Sequence, residues 1–205
     1  MSEAAWERTL SVGTAEQTHA LAAALAAGLQ AGDLLVLTGE LGAGKTTFTQ
    51  GLGEGLGVRA GIISPTFVLV RIHPNRPDGP RPGGPDLVHV DAYRLESASE
   101  IDDIDLENTM DSSVTVVEWG RGRVEHLSES RLEVELHRQL GGTPPGAQAD
   151  AQPAGSQPAG VVLDFDTDDA DEPRTVVFRG FGPRWAEPPA ALAALPSPPA
   201  TPETD

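Results

Sequence analysis

Leu21, Leu25 and Leu29 recur at every fourth residue in "GTAEQTHALAAALAAGL", residues 13–29, a spacing that lines them along one face of a helix. Thr14 followed by Gln17 has capping-box spacing at the start of this segment, so a helix of about four turns is predicted. The pattern then changes to "DLLVLTG", residues 33–39, a short apolar run bounded by turn residues that reads as a buried strand. A glycine-rich stretch follows it directly, and "KTTFTQGLGEGLG" predicts a second helix closed by Gly57. Beyond it, "TFVLVRI", "DLVHVDAY", "SVTVVEW", "RLEVELHR" and "RTVVFRGF" read as strands, with a short helical stretch near "SASEIDDIDLE". Strands interleaved with helices around an early strand–loop–helix unit predict an α/β sandwich, with the last two strands as an antiparallel hairpin.

Two segments break this pattern. "HPNRPDGPRPGGPD" and "QLGGTPPGAQADAQPAGSQPAG" are dominated by Pro, Gly and small polar residues, and "DFDTDDADE" extends the second with acid. Such composition predicts mobile insertions at about 74–86 and 139–173. From Ala186 onward the chain is a Pro/Ala tail without a core-forming pattern, so the reading is one domain over 1–184 and a disordered tail over 185–205.

Charge narrows the partners. Thirty-one acidic against 14 basic residues give a net charge of −17, which repels naked nucleic acid, DNA included, and anionic membranes. Any nucleic acid in the function is expected to be held by another protein. The absence of cysteine excludes disulfides, thiolate nucleophiles and cysteine-ligated metals. The N-terminus has no basic or apolar leader pattern and the longest apolar run is alanine-rich and short, so a cytoplasmic protein is expected.

The glycine-rich stretch carries the chemistry. "GELGAGKT" fits GxxxxGK[ST] with Gly39, Gly44, Lys45 and Thr46, and Lys45 is the only lysine beside 13 arginines. The N–H groups of Glu40, Leu41, Gly42, Ala43 and Gly44 must turn inward around a phosphate, which needs backbone geometry that larger side chains block. The following helix adds its own unpaired N–H groups and the positive end of its dipole. A compact ammonium at position 45 can reach the β- and γ-phosphates where a planar guanidinium would not fit, and the Thr46 hydroxyl can bind Mg²⁺ beside Thr47. ATP and Mg²⁺ are the cofactors expected, and the fold expected is the three-layer α/β sandwich of the P-loop NTPases with a mixed sheet. Glu40 is anomalous beside phosphate, and its side chain is expected to face solvent.

Such a site needs a strand-end acid for the metal. Glu118 ends "VTVVE" and Asp91 ends "DLVHVD"; one would bind Mg²⁺ and the other orient the attacking water. Ser64 and Thr66 in "GIISPTFVLV" stand either in a γ-phosphate switch or in a plain Ser-Pro turn. Trp119, next to Glu118, either covers the nucleotide or packs.

Taken in order, the P-loop, "SPTF", "HVDAYRL" and "VVEW" resemble the TsaE (YjeE) family of bacterial ATPases over roughly residues 5–138 and 174–182. The resemblance implies a small ATPase that serves tRNA threonylcarbamoyladenosine (t6A) synthesis with two partners, TsaB and TsaD, which hold the tRNA and transfer the threonylcarbamoyl group. It also implies roles: Glu118 as the Mg²⁺ acid, Lys45 and Thr46 as the P-loop pair, Asp91 as the second acid, and Ser64, Pro65 and Thr66 as the switch. Tyr93, Arg94 and Trp119 match motif positions. This chain departs from the family in its two insertions and tail, and in Phe67 where tyrosine is common. Arg121 and Arg123 in "EWGRG" either contact phosphate or lie on the surface. Two alternatives share these residues: a small-molecule kinase, for which "EWGRGR" is the one segment able to act as a lid, and a nucleotide-responsive binding module with incidental hydrolysis. With no arginine finger or strong base evident in the pattern, slow hydrolysis is expected from the protein alone.

Overall fold

A computed structural model describes residues 3–95, 97–138 and 173–193. Most of the second insertion and the end of the tail, 139–172 and 194–205, lie outside the described residues. The strands are β1 (Trp6–Val12), β2 (Leu34–Gly39), β3 (Val70–His73), β4 (Asp86–Asp91), β5 (Ser113–Glu118), β6 (Arg131–Arg138) and β7 (Arg174–Phe181). They form one seven-stranded sheet in the order β1-β7-β6-β2-β5-β4-β3. The four central strands β6, β2, β5 and β4 are mutually parallel, while β1, β7 and β3 pair antiparallel at the flanks. This is the mixed-sheet α/β architecture expected, including the antiparallel β6–β7 pair.

One face of the sheet carries α1 (Ala15–Ala26) and α2 (Lys45–Leu56). Alternation along the strands sends Leu35, Leu37, Leu87, Val114, Val116, Leu132, Val134 and Leu136 to this side, where they are buried. The opposite face, with Leu34, Val36, Val88, Val90 and Val117, is covered more thinly by α3 (Ala98–Asp102), α4 (Glu107–Met110) and Val124.

The start of α1 follows the predicted spacing with one variation. Thr14 accepts from the Gln17 N–H at 3.2 Å, but the Gln17 side chain reaches back to the N–H of Gly13, not Thr14. Helix α2 contains Gly51, Gly53 and Gly55, each of which weakens a helix by about 0.5–1 kcal/mol relative to alanine. Packing accounts for the choice at Gly51, where a Cβ would sit 2.2 Å from the His19 carbonyl oxygen of α1. The two helices therefore approach closely enough for Ala22 and Ala26 to be fully buried between them.

Four segments differ from the sequence reading. No element is predicted over residues 6–12, yet β1 lies there, pairing Trp6 with Gly180 and Val12 with Arg174. Its polar residues hide the signal, because as an edge strand it buries only Leu10 and Val12. "TFVLVRI" is a strand only from Val70. Val68 and Leu69 both donate to the Pro65 carbonyl, Leu69 adopts φ 66°, and residues 66–69 form a turn. The segment expected to be a mobile loop at 74–86 is fastened to the helix ends. Arg81 donates to Ala26 O and Leu29 O behind α1, and Asn75 donates to Leu56 O of α2. Nor is the chain a featureless tail from 185. Residues 183–185 form a 3₁₀ turn, Trp185 is 2% exposed, and Leu192 of the short helix α5 (Ala190–Ala193) is buried against the first core. Arg184 locks this segment with a two-pronged ion pair to buried Asp33, at 2.8 and 2.9 Å. Composition misleads here because one tryptophan and one arginine outweigh the prolines around them.

Candidate functional site

The C-terminal edge of the parallel strands gathers the predicted residues. Strand β2 runs into the loop 39–44, and Gly44 (φ 97°) is the N-cap of α2, so the first N–H groups of that helix open onto the loop. Gly39 is required by space and by conformation. Its φ is 141°, and a Cβ there would lie 2.2 Å from the Leu136 carbonyl oxygen of β6. Leu41 and Glu40 are exposed, so Glu40 does face solvent, 3.6 Å from His137.

Lys45 begins α2 and is 5% exposed. Its Nζ donates to the carbonyl oxygens of Gly39 at 2.9 Å and Glu40 at 2.8 Å, and stands 3.9 Å above the Trp119 ring. An ammonium has three N–H donors, and these two bonds leave one for an anion. Burial pushes the Lys45 ammonium below its ordinary value, and Glu118, Asp91 and Glu40 pull it back up. Trp119 reaches this position through a left-handed backbone turn (φ 63°) at the end of β5, its N–H bonded to Leu37 O at 2.8 Å. A bulky residue in that conformation costs about 1–3 kcal/mol, and such strain is concentrated at functional sites. Tyr93 packs against the indole, with ring centroids 5.3 Å apart and planes inclined at 59°.

The two acids are neighbours. Parallel register aligns Asp91 of β4 with Glu118 of β5, and alternation places both on the face that carries α2. Both are nearly buried, at 2% and 3% exposure. Their partners differ. Glu118 Oε1 accepts from the Thr46 hydroxyl at 3.2 Å and contacts His89 Nε2 at 2.8 Å. Asp91 Oδ2 accepts from the hydroxyls of Ser64, at 2.8 Å, and Thr66, while Oδ1 accepts from the Tyr93 N–H at 2.9 Å. The Ser64–Thr66 segment is further tied to α2 by Gln50, which donates to Ile62 O.

This donor set fits a phosphate with a hard divalent cation. The hydroxyl of Thr46 and the carboxylate of Glu118 are adjacent oxygen donors, of the kind a hard cation takes, beside the glycine-rich loop. Among the described residues no group of three or more His, Asp or Glu could hold a metal alone, so a cation at this place would share its coordination with phosphate and water.

A family profile described as "Threonylcarbamoyl adenosine biosynthesis protein TsaE" matches residues 12–142. The chain belongs to the TsaE family. The protein named tRNA threonylcarbamoyladenosine biosynthesis protein TsaE from Streptomyces coelicolor is 48% identical over 159 residues, covering 77% of this chain and 86% of that one. Its namesakes from Mycobacterium tuberculosis H37Rv and Bacillus subtilis are 44% and 41% identical, covering 63% and 60% of this chain and 79% and 73% of theirs. The crystal structure of Bacillus subtilis YdiB superposes with a TM-score of 0.58 at 27% identity, covering 90% of each chain. The fold is the P-loop NTPase-like sandwich expected.

Within this TsaE frame, Gly39 to Thr46, Ser64, Thr66, Asp91, Glu118 and Trp119 come together at one edge, as the motif spacing anticipates. Thr47 follows on the first turn of α2. Arg121 and Arg123 do not join the loop. Arg121 pairs with Glu135 at 2.9 Å, and Arg123 donates to the carbonyls of Trp119 and Ala92. Arg94 lies over the Phe67 ring at 5.5 Å. His89 is the residue the sequence reading passes over. Its signal is the two-residue step to Asp91 in "HVD", which places both side chains on one face of β4.

Proposed function

We propose that this chain is an ATP-binding, slowly ATP-hydrolysing component of t6A synthesis that acts with TsaB and TsaD on tRNAs reading codons that begin with A. The observation that carries the reading is the hydrogen bond from Thr46, on the first turn of α2, to Glu118 at the end of β5. It joins a hydroxyl and a carboxylate beside a glycine loop topped by Lys45. In this reading the loop N–H groups and Lys45 hold the phosphates, and Thr46 with Glu118 holds Mg²⁺. Held there, a Mg²⁺ ion would supply neutralisation of the phosphate charge. Asp91, steadied by Ser64 and Thr66, places the attacking water. Trp119 keeps bulk water from the Lys45 ammonium.

The remaining features accord with partners that carry the tRNA. The net charge of −17 disfavours direct contact with a polyanion. Among the described residues no helix is long and apolar enough to cross a membrane, and a cytoplasmic location belongs to the same proposal. A kinase reading asks "EWGRGR" to close as a lid, whereas both of its arginines with assigned partners hold sheet carboxylates or carbonyls. A nucleotide-responsive docking role is favoured by one feature. Next to the Thr66–Asp91 contact, Phe67 is 86% exposed and Ile63 and Val68 are more than half exposed, so a change at that contact would move an apolar surface.

The test is ATP turnover by the purified protein, alone and with TsaB, TsaD and unmodified tRNA, scoring phosphate and modified adenosine. Slow release alone, repeated modification only with this protein, and loss of both with Lys45→Ala are expected. Lys45→Ala should also weaken ATP binding by at least about 100-fold, the order seen when one member of a buried charge pair is removed. Modification through many cycles without the protein would contradict the proposal.

A further inference from the structure

His89 has no exposed surface, and neither the motif resemblance nor the phosphate-site chemistry assigns it a role. It sits one inward-facing step below Asp91 on β4, diagonal to Glu118 on β5. Its Nε2 lies 2.8 Å from Glu118 Oε1, and its Nδ1 is buried without a hydrogen-bond partner. A proton on Nδ1 would be a buried donor with no acceptor, whereas a proton on Nε2 is matched by a carboxylate. The proton therefore belongs on Nε2, and the imidazole donates to Glu118.

The consequence lies in which oxygen is used. The Thr46 hydroxyl also donates to Oε1, at 3.2 Å. Two donors converge on one oxygen, one from α2 and one from β4. They fix the rotation of the carboxylate and leave Oε2 as the oxygen available to a cation. Packing restrains the histidine in turn: its ring lies against His73, with centroids 6.3 Å apart and planes inclined at 39°. Burial, with its His89 and Arg71 neighbours, lowers the affinity of His73 for a proton.

We infer that His89 is a positioning residue that holds Glu118 by Oε1 and so presents Oε2 to the Mg²⁺ of the bound nucleotide. This rests on the proposed reading of Glu118 as the metal acid. Hydrogen-bonded groups behind a metal ligand characteristically change metal affinity by roughly 10- to 100-fold when removed.

The experiment is calorimetric ATP binding by the full chain, in EDTA and over a Mg²⁺ series, for the wild type, His89→Leu and His89→Gln. His89→Leu removes the donor while keeping an apolar body, and the amide N–H of His89→Gln can occupy the place of Nε2. The expected result is unchanged affinity in EDTA for all three. The Mg²⁺ concentration giving half of the affinity gain should rise roughly 10- to 100-fold in His89→Leu and recover in His89→Gln. A purely packing role would instead lower the thermal midpoint of both variants without moving the Mg²⁺ dependence, and that outcome overturns the inference. If the wild type binds ATP equally with and without Mg²⁺, the metal reading of Glu118 falls first and the inference with it. Should His89→Leu not fold, histidine ¹⁵N NMR of the wild type decides. A slowly exchanging Nε2–H on His89, shifted by Glu118→Gln, is expected, and a proton on Nδ1 refutes the inference.

Discussion

Asp91 and Glu118 occupy matched positions on adjacent parallel strands, on the same face and at nearly the same burial, yet they are gripped by different parts of the protein. Glu118 is held by Thr46, on the first turn of the phosphate-loop helix, and by the buried ring of His89 on β4, both in regular elements of the fold. Asp91 is held by Ser64 and Thr66, which belong to a turn whose next residues, Phe67 and Val68, are exposed. The same carboxylate chemistry is thus attached to a rigid element in one case and to a surface turn in the other. A rigidly held acid suits a metal ion, which demands fixed geometry. An acid bonded to a surface turn can pass a change at the phosphates on to that surface.

The largest effect is expected at Glu118. Glu118→Gln should raise the Mg²⁺ concentration needed for tight ATP binding by about 100-fold, read by calorimetry, with nucleotide affinity in EDTA preserved. Thr66→Ala removes one hydroxyl from Asp91 and should slow ATP hydrolysis about tenfold, the order of one hydrogen bond to a charged group. Thr66→Ser should restore it, and neither variant should alter the Mg²⁺ requirement. The smallest effect on the site should come from a third acid near this sheet edge, Glu135 of β6, which alternation turns to the opposite face. Hydrogen bonding from Arg121, with further pairing to Arg179 against the cost of burial, holds its carboxyl at about 2 instead of 4.5. Because the folded value is depressed, Glu135 stabilises the fold fully above about 4.5, and this contribution is lost as pH falls toward 2. Glu135→Gln should flatten the pH dependence of the unfolding midpoint in that window and leave ATP binding unchanged.

The site was more legible in the sequence than the edges of the fold. A phosphate loop requires glycines and one lysine at fixed spacing, and a strand that ends in an acid announces itself by its apolar run, so Gly39 to Thr46, Asp91 and Glu118 stood out. What a residue touches across the sheet was not visible. The division of Ser64 and Thr66 to Asp91, and of Thr46 and His89 to Glu118, follows from strand order and register, which local patterns do not encode. Strand β1 escaped because an edge strand carries few apolar residues, and Trp185 and Leu192 because composition averages away single anchors. The turn at 66–69 escaped because Leu69 takes a left-handed conformation inside a run that otherwise looks like a strand.

Parallel Mg²⁺ titrations of ATP binding and hydrolysis in Asp91→Asn and Glu118→Gln test the division between the two acids most directly. The account predicts that Glu118→Gln needs about 100-fold more Mg²⁺ to reach the same gain in affinity. Asp91→Asn should keep that gain while hydrolysis falls by about 100-fold, the scale of losing a group that places the reacting water. A shift in Mg²⁺ dependence with Asp91→Asn, and none with Glu118→Gln, would contradict it and exchange the roles of the two carboxylates.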